Sequence, residues 1–358
     1  MNKNYYAIIM AGGVGSRFWP ISTKQLPKQF HDMLGTGSTL IQQTFNRFEN
    51  LIPSENILIA TNKTYEDLVQ KQLPKVTSKQ LLLEPAMRNT APCILYSAFK
   101  IHNENPDGIM VIAPSDHWID DEQEFLKNIQ TSFNFCAEND ALMTLGIKPS
   151  SPNTGYGYIQ YSKSEKDIKK VSNFTEKPNL ETAIQFIEEG NYLWNAGIFV
   201  WSVKSILKAF ETHLPKMYAL FSEGENSYNT SLEKQFIEEN YALSENISID
   251  FGILEKASDV FVLPVEFGWN DLGTWGSLYN KLPKDGSQNA TVGGSVIYRD
   301  AKNNMVRTQS GKRVVIQGLN DYIVVEKDDV LLICPKNDEQ EIKEITNQVK
   351  IEFGDDFI

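Results

Sequence analysis

The sequence has 358 residues, 41% of them hydrophobic, which is enough for one large α/β domain and a smaller second unit. Its formal net charge of -12 argues against a dedicated nucleic-acid or anionic-membrane partner. It does not exclude phosphate ligands, because a local cradle of backbone N–H groups can hold phosphates on an acidic protein.

Cysteine usage and hydropathy bear on the compartment. The three cysteines, Cys93, Cys136 and Cys334, are widely spaced and predict neither a metal site nor a disulfide framework, so we expect buried free thiols. No apolar run approaches the ~18 residues of a membrane-spanning helix. The apolar run Tyr5–Ala11 leads directly into glycines with no cleavage site, so we interpret it as a first strand rather than a signal peptide. We therefore expect a cytoplasmic protein.

In the first 150 residues, short apolar runs of strand type alternate with helical patterns. The predicted strands are Tyr6–Ala11, Ile57–Ala60, Gln80–Glu84, Ile109–Ala113 and Ala141–Gly146. The predicted helices are Thr39–Phe48, Thr64–Gln72, Ala91–His102 and Glu122–Glu138. This alternation predicts a parallel sheet covered on both faces, with ligands bound at the carboxyl ends of its strands.

The rest of the chain changes pattern near Pro283. Before it we predict paired strands, two helices and a polar, acidic stretch of surface helices: Tyr156–Tyr161, Val171–Thr175, Asn179–Glu189, Val203–Thr212 and Phe221–Asn246. After it, short strands at nearly even spacing predict a small β-domain: Val292–Tyr298, Met305–Arg307, Arg313–Gln317, Tyr322–Glu326 and Val330–Cys334. We also predict that a helix over Glu339–Lys350 closes this domain.

A glycine-rich segment, Met10-Ala11-Gly12-Gly13-Val14-Gly15-Ser16-Arg17, follows the first predicted strand. Glycines allow backbone N–H groups to approach a polyphosphate, and Arg17 and Lys28 add cations for its oxygens. A dinucleotide fingerprint fails here because its third glycine position is Phe18, and a P-loop fails because no Lys-Ser or Lys-Thr pair follows. A tight strand-to-helix turn is the structural alternative for the segment.

At this point the sequence resembles a known family. Gly12-Gly13-x-Gly15-Ser16-Arg17-x-x-Pro20-x-Ser22, followed by Pro27-Lys28, resembles the signature of sugar-1-phosphate nucleotidylyltransferases, and Phe18-Trp19-Pro20 with Pro27-Lys28-Gln29-Phe30 is similar to their mannose-1-phosphate guanylyltransferase branch. The resemblance covers about residues 6 to 280 and continues in order through Glu84-Pro85, Arg88-Asn89-Thr90-Ala91-Pro92, Pro114-Ser115-Asp116-His117, Asn153-Thr154-Gly155-Tyr156-Gly157-Tyr158, Phe174-Thr175-Glu176-Lys177-Pro178, Trp194-Asn195-Ala196-Gly197 and Trp269-Asn270-Asp271-Leu272-Gly273.

The resemblance implies a metal site and a set of phosphate-binding residues. Asp116 and Asp271 would hold Mg²⁺, which prefers carboxylates, phosphate oxygens and water. A helix cap before Glu122 and a plain turn aspartate are the respective structural alternatives. With Arg17 and Lys28, these two aspartates form the implied catalytic set. We also expect Lys28→Ala to weaken triphosphate use far more than stability.

Two further groups follow from the resemblance. The nucleotide would contact Gly12, Gly13, Gly15, Ser16, Arg17, Lys28, Glu84, Asn89 and Thr90, although Asn89 or Thr90 could equally be a helix N-cap. The sugar phosphate would contact Gly155, Tyr156, Glu176, Lys177 and Asn195. The structural alternatives are an exposed charged pair for Glu176 and Lys177, and a turn residue for Asn195.

The implied fold is a Rossmann-like, mixed but mainly parallel sheet of the nucleotide-diphospho-sugar transferase type over residues 1–283. A small C-terminal β-domain over residues 284–358 would resemble a left-handed β-helix and be a candidate homodimer contact. The implied activity is transfer of GMP from GTP to α-D-mannose 1-phosphate, giving GDP-mannose and pyrophosphate. A phosphate nucleophile is already ionised, so alignment and charge neutralisation would suffice for in-line attack.

Three alternatives stay open at this point. The same chemistry could use another nucleotide or sugar, such as glucose 1-phosphate. A non-catalytic subunit that senses nucleotide-sugars could keep the fold. A nicotinamide dehydrogenase is disfavoured by the missing third glycine.

Overall fold

The computed structural model describes all residues, Met1–Ile358, and divides into two compact units. The first unit comprises Met1–Gly12, Thr44–Ser115 and Ile119–Trp269. The second unit comprises Gly13–Gln43, Asp116–Trp118 and Asn270–Ile358. The glycine-rich segment therefore begins in one unit and continues into the other.

The first unit is built on a nine-stranded mixed sheet in the order β3-β2-β1-β4-β8-β5-β9-β7-β6. Strands β1 to β4 pair in parallel, whereas β8 runs antiparallel to β4, β5 and β6. The bounds are β1 Tyr5–Met10, β2 Ile57–Asn62, β3 Leu81–Glu84, β4 Ile109–Pro114, β5 Leu142–Ile147, β6 Tyr158–Tyr161, β7 Lys169–Thr175, β8 Tyr192–Ser202 and β9 Val260–Val265.

Helices cover this sheet because the central strands are apolar on both faces and must be buried on both. In the first unit they are α2 Glu66–Gln72, α3 Thr90–Glu104, α4 Glu122–Glu138, α5 Leu180–Glu189, α6 Val203–His213, α7 Pro215–Ser222 and α8 Glu233–Asn240, and α1 Leu40–Glu49 continues into it from the second unit. The π-helical turn Asp250–Leu254 follows α8. In the acidic stretch predicted as surface helices, residues 223–232 form turns instead and only α8 lies within it complete.

Two strands of the sheet were not predicted. The run Tyr192–Ser202 is nearly all buried and forms β8, the strand between β4 and β5. Polar Asn195 and the small residues around it interrupt its apolar pattern, so the sequence does not show one continuous strand. The second missed strand is β9.

The carboxyl ends of the parallel strands lie just before the sequence motifs. Strand β1 ends at Met10 before the glycines, β3 ends at Glu84, and β4 ends at Pro114 two residues before Asp116. Strands β3, β2, β1 and β4 pair side by side in fixed register, so the sheet fixes where the segments after β1, β3 and β4 begin. This confirms the predicted α/β fold.

The C-terminal part of the second unit is a β-helix. Strands β10 Ala290–Val292, β12 Met305–Arg307 and β14 Tyr322–Lys327 stack in parallel, β15 Val330–Pro335 returns antiparallel to β14, and β11 Ser295–Arg299 pairs in parallel with β13 Arg313–Gln317. Buried Asn304 donates through Nδ2 to Asn289 Oδ1 at 3.0 Å and to Leu319 O at 2.7 Å, which links successive turns. The predicted β-domain is confirmed, and its handedness stays a prediction.

One predicted strand in this domain is wrong. Val292–Tyr298 is broken into β10 and β11 at Gly293, which has φ +91°. A Cβ at Gly293 would lie 2.0 Å from Thr308 O, so the corner requires glycine. The unit also contains α9 Trp275–Lys281, and α10 Ile342–Phe353 begins three residues later than the predicted tail helix.

Cys93, Cys136 and Cys334 are free and buried, as predicted. None of the helices has both the length and the apolar character that crossing a membrane requires.

Candidate active site

Lys28 organises a cluster in the second unit. Its ammonium contacts Asp116 Oδ2 at 2.8 Å and donates to the carbonyls of Asp271 at 3.1 Å and Leu272 at 2.8 Å. We call these four residues the Lys28 cluster. The two aspartates implied as metal ligands, which lie far apart in sequence, therefore meet at one lysine. Lys28 itself is only 4% exposed.

Backbone pairing brings the two aspartate segments together. Trp118 N–H donates to Asn270 O at 2.8 Å, and Asn270 N–H donates to Trp118 O at 3.0 Å. The turn that follows is fixed by its own side chains, because Asn270 Oδ1 accepts from Leu272 N–H at 2.7 Å and Asp271 Oδ1 accepts from Gly273 N–H at 3.1 Å. Leu272 has a φ of +45°, an uncommon conformation for a non-glycine residue.

The charge of Asp116 is set by its neighbours. Burial acts to raise the pKa of Asp116, but the positive charges of Lys28 and His117 and the Lys28 hydrogen bond outweigh it and leave the pKa below its ordinary value. Asp116 is therefore a carboxylate at neutral pH.

The glycine-rich segment packs closely on Lys28. Gly15 has φ +69° and precedes the short 3-10 turn Ser16–Phe18. A Cβ on Gly15 would lie 2.7 Å from Lys28 Cβ, so only glycine permits this approach. Gly13 is exposed with open space beside it, whereas Arg17 is exposed and donates through Nε to Gln340 Oε1 at 3.2 Å.

Glu84 lies at the end of β3 in the first unit and pairs with Tyr241. The Tyr241 hydroxyl donates to Glu84 Oε1, and a Cβ at Gly12 would lie 3.6 Å from Glu84 Oε2. Burial raises the pKa of Glu84 to about 7, although the Tyr241 hydrogen bond opposes the shift. Glu84 is thus a carboxyl group that titrates near neutrality.

Asn89 and Thr90 begin helix α3. Asn89 is the N-cap, since its Oδ1 accepts from Thr90 N–H at 3.1 Å, with φ +65°. Thr90 Oγ1 accepts from Ile249 N–H at 2.9 Å, and Arg88 donates twice to Ala242 O. The N-cap alternative is confirmed for Asn89, which is exposed and retains its side-chain NH₂ group.

Two of the other predicted sugar residues, Glu176 and Lys177, lie near Asn195 on β8 through Gly157. Asn195 N–H donates to Gly157 O at 2.8 Å, and a Cβ at Gly157 would lie 2.4 Å from Glu176 Oε2. Glu176 pairs with Lys177 at 2.8 Å, and Lys177 has φ +47°. Since the Glu176 side chain is only 11% exposed, the pair is not the fully exposed one of the structural alternative.

The Asn195 side chain is held on both sides. Its Nδ2 donates to Asp250 Oδ1 at 2.9 Å, and its Oδ1 accepts from Gly197 N–H at 3.1 Å and from Thr144 Oγ1 at 3.2 Å. We call Thr144, Gly157, Glu176, Asn195 and Asp250 the Asn195 cluster. Asn195 therefore belongs to a strand and a polar network, not to a turn.

The two remaining predicted residues lie on the Asn153–Gly157 loop. Gly155 N–H donates to Asn153 Oδ1 at 2.8 Å. The Tyr156 ring packs edge-on against Trp194 at 4.9 Å and Trp269 at 5.3 Å. Aromatic contacts of this kind fix the loop that carries Gly157.

Sequence reasoning missed Tyr241 and Asp250. Both lie in or just after the acidic stretch predicted only as surface helices, and each contacts a partner far away in sequence. A local pattern that could have singled them out is absent from the sequence.

Two family models match the chain. One is described as nucleotidyl transferase and matches residues 6–288, and the other as MannoseP isomerase/GMP-like beta-helix domain and matches residues 294–349.

Named relatives cover nearly the whole chain. A mannose-1-phosphate guanylyltransferase from Salmonella montevideo is 36% identical, over 96% of this chain and 74% of that protein. One from Escherichia coli is 34% identical, over 98% of this chain and 77% of that protein. A solved structure from Thermus thermophilus, described as a mannose-1-phosphate geranyltransferase, is 30% identical with a TM-score of 0.88, covering 97% of this chain and 99% of that one.

Proposed function

Because the chain belongs to the nucleotidyl transferase family, we propose that it transfers GMP from GTP to α-D-mannose 1-phosphate, releasing GDP-mannose and pyrophosphate. The convergence of Asp116 and Asp271 on Lys28 carries the proposal. The Asp116 carboxylate and the Asp271 backbone carbonyl both contact Lys28, close to the glycine-rich segment. This supports a site with the carboxylates and cations that a reaction between two phosphate anions needs. The names of the relatives from Salmonella and Escherichia coli favour guanine and mannose.

Enzymes of this family use a divalent metal, and the residues present fit one. Asp116 is ionised, and Asp271 belongs to the same cluster through its backbone carbonyl, with its side chain accepting from Gly273 N–H. Two carboxylates, with phosphate oxygens and water, form the ligand set that Mg²⁺ prefers. We therefore assign Mg²⁺ to Asp116 and Asp271; when bound it would neutralise charge on the triphosphate.

The chain's own residues account for the other requirements of the reaction. The sugar 1-phosphate is already ionised at neutral pH, so no residue needs to remove a proton. Open backbone at Gly13, the segment through Gly15 and Ser16, and exposed Arg17 would bind the triphosphate. Glu84, Asn89 and Thr90 would contact the base, whose donor and acceptor pattern their carboxylate and amide groups can read.

In the same assignment, Gly155, Tyr156, Glu176, Lys177 and Asn195 bind the sugar phosphate. Carboxylate and amide groups suit hexose hydroxyls, and the Lys177 ammonium suits the phosphate. Alignment of two bound substrates would supply a large part of the rate enhancement.

The proposal also covers the domain boundaries, the oligomeric state and the cellular compartment. We place the catalytic domain at residues 1–283 and the β-helix domain at 284–358, and we propose a cytoplasmic homodimer. Ile297 and Val315, which pair across β11 and β13, are 62% and 66% exposed and offer an apolar contact. The three free thiols fit a reducing compartment. Sedimentation equilibrium would reveal a monomer if the dimer proposal is wrong.

Pyrophosphate release over four nucleoside triphosphates and several sugar 1-phosphates, with Mg²⁺, tests the function. We expect GTP with mannose 1-phosphate to give the highest kcat/KM. Asp271→Asn should keep the fold and lose activity by about 100-fold or more, because a metal ligand is removed. Asp300→Asn, at an exposed turn of the same unit, is the matched control. Wild-type rates in Asp271→Asn would remove Asp271 from the metal site.

A further inference from the structure

Asp250 stands out because its carboxyl group, which has no role in the proposed reaction so far, lies among residues assigned to the sugar phosphate. It begins the π-helical turn Asp250–Leu254, a rare element that is frequent at functional sites. Its side chain meets Asn195 Nδ2 at 2.9 Å, and Asp250 is partly exposed. A ligand can therefore reach the carboxyl group.

The surroundings of Asp250 are costly for folding. Burial and the negative charge of Glu176 raise the pKa of Asp250 to about 6, although Asn195 and Lys177 oppose the shift. Lys177 is paired with Glu176 at 2.8 Å, whereas the side chain in contact with Asp250 is the neutral amide of Asn195. A buried carboxyl group near a second negative charge destabilises a protein, and such arrangements concentrate at binding sites.

The hydrogen bonds of Asn195 indicate what the cluster presents to a ligand. The amide is oriented by Gly197, Thr144 and Asp250, so its direction is fixed. A carboxylate has about four acceptor positions, and the bond from Asn195 uses one of them. Asp250 and Glu176 thus offer acceptors near a fixed amide, a set suited to neighbouring hydroxyl groups.

We propose that Asp250 is a binding residue for the sugar, accepting a hydrogen bond from a hydroxyl of the hexose 1-phosphate and of the nucleotide-sugar product. The inference rests on the proposed function, because it adds a residue to the sugar-binding group. Asn195 then has two roles: it contacts the sugar, and it aligns Asp250 for the adjacent hydroxyl.

The first test is binding, measured by calorimetry with GDP-mannose and with GDP. Asp250→Asn keeps an oxygen that can accept from Asn195 but removes the charge, so GDP-mannose should bind roughly 10- to 100-fold more weakly. GDP should bind as it does to the wild type. Glu255→Gln, at the exposed residue that follows the same π-helical turn, is the matched control. Unchanged GDP-mannose affinity in Asp250→Asn would overturn the inference.

Deoxy analogues separate a contact from a packing effect. We would measure KM for mannose 1-phosphate and its 2-, 3-, 4- and 6-deoxy forms with wild type and Asp250→Asn. The deoxy analogue that lacks the hydroxyl contacted by Asp250 should have the same KM with the wild type and with Asp250→Asn. Equal losses for every analogue would mean that Asp250 acts only through structure. Asp250→Ser serves if the first variant does not bind GDP.

The two proposals fail in different ways. If the wild type neither forms GDP-mannose nor binds it, the proposed function is wrong whatever Asp250 does. If the wild type does both and Asp250→Asn equals it, only the assignment of Asp250 falls.

Discussion

The Lys28 cluster and the Asn195 cluster each gather two acidic residues, but they treat charge in opposite ways. In the Lys28 cluster a buried ammonium contacts Asp116, and the pKa of Asp116 lies below its ordinary value. In the Asn195 cluster a neutral amide contacts Asp250, and burial together with the negative charge of Glu176 raises the pKa of Asp250 to about 6. Contact with a lysine therefore holds the pKa of Asp116 down, whereas burial without a contacting lysine raises that of Asp250. This contrast fits the metal proposed for one cluster and the sugar hydroxyls proposed for the other.

Among the predicted effects, the largest should come from replacing Lys28, because this removes the cation that distinguishes the two clusters. We expect Lys28→Met to lower activity by about 100-fold or more and the free energy of unfolding by on the order of 2 kcal/mol. The stability loss follows from the structure, since Lys28 is buried and its removal takes the ammonium donor from Asp116 and from two backbone carbonyls. The sequence led us to expect that replacing Lys28 weakens triphosphate use far more than stability, and the structure adds a clear loss of stability to that expectation.

Steady-state kinetics and thermal melts check the lysine prediction. The pKa of Asp116 is lowered in the folded protein, so its pairing stabilises above the unfolded pKa and is lost as pH falls through the folded one. The stability gap between wild type and Lys28→Met should therefore narrow in acid. Lys312→Met is the control, because Lys312 is an exposed lysine that also pairs with a carboxylate, that of Glu326. An unchanged melting temperature in Lys28→Met would mean that Lys28 contributes to substrate binding but not to stability.

Glu84 sharpens the comparison, because it is a buried carboxyl with no cation in contact. Its pKa of about 7 lies above the ordinary 4.5, so the folded protein binds more protons than the unfolded chain between those values. Stability should fall as pH rises through that window, with the full penalty above pH 7. Burial raises the pKa values of its neighbours Tyr241 and Cys93, so they stay neutral there.

Glu84→Gln should remove this titration while keeping an oxygen for the Tyr241 hydroxyl. We expect the melting temperature of Glu84→Gln to depend less on pH between 5 and 8 than that of the wild type. The free energies of unfolding of the two proteins should differ by at most a few kcal/mol. Glu188→Gln, on the exposed part of α5, controls for the lost charge. Parallel melting curves for wild type and Glu84→Gln would mean that Glu84 stays ionised.

The sequence predicts most of the scaffold and the approach of the two aspartates. Apolar runs bounded by glycine or proline locate β1 to β5, and the family motifs place Asp116 and Asp271 in one group, which the structure brings together. These features depend on local patterns or on the resemblance.

Long-range pairing explains what the sequence could not predict. Asp250 meets Asn195 55 residues away, and Tyr241 meets Glu84 157 residues away. Neither pair has a periodicity or spacing that marks it. The break at Gly293 is similar, because the glycine is required by Thr308 on the next turn of the β-helix rather than by its own neighbours.

The smallest predicted effect concerns what holds the Lys28 cluster in place within the second unit. Arg307 on β12 donates to Met33 O at 2.6 Å and to Asp32 O at 2.8 Å, just after the turn that carries Lys28. Burial lowers the pKa of Arg307 to about 10, so it stays charged, and lysine cannot reproduce its two parallel bonds. Arg307→Lys should therefore loosen this segment slightly.

We expect Arg307→Lys to reduce kcat/KM for GTP by roughly threefold, the order of one weakened hydrogen bond, and to leave KM for mannose 1-phosphate unchanged. Arg299→Lys, exposed on β11, is the control. An equal loss for both substrates would mean that Arg307 supports the protein in general rather than the Lys28 segment. A selective loss would make the β-helix part of the phosphate-binding apparatus, whereas the residues of the Asn195 cluster all belong to the first unit.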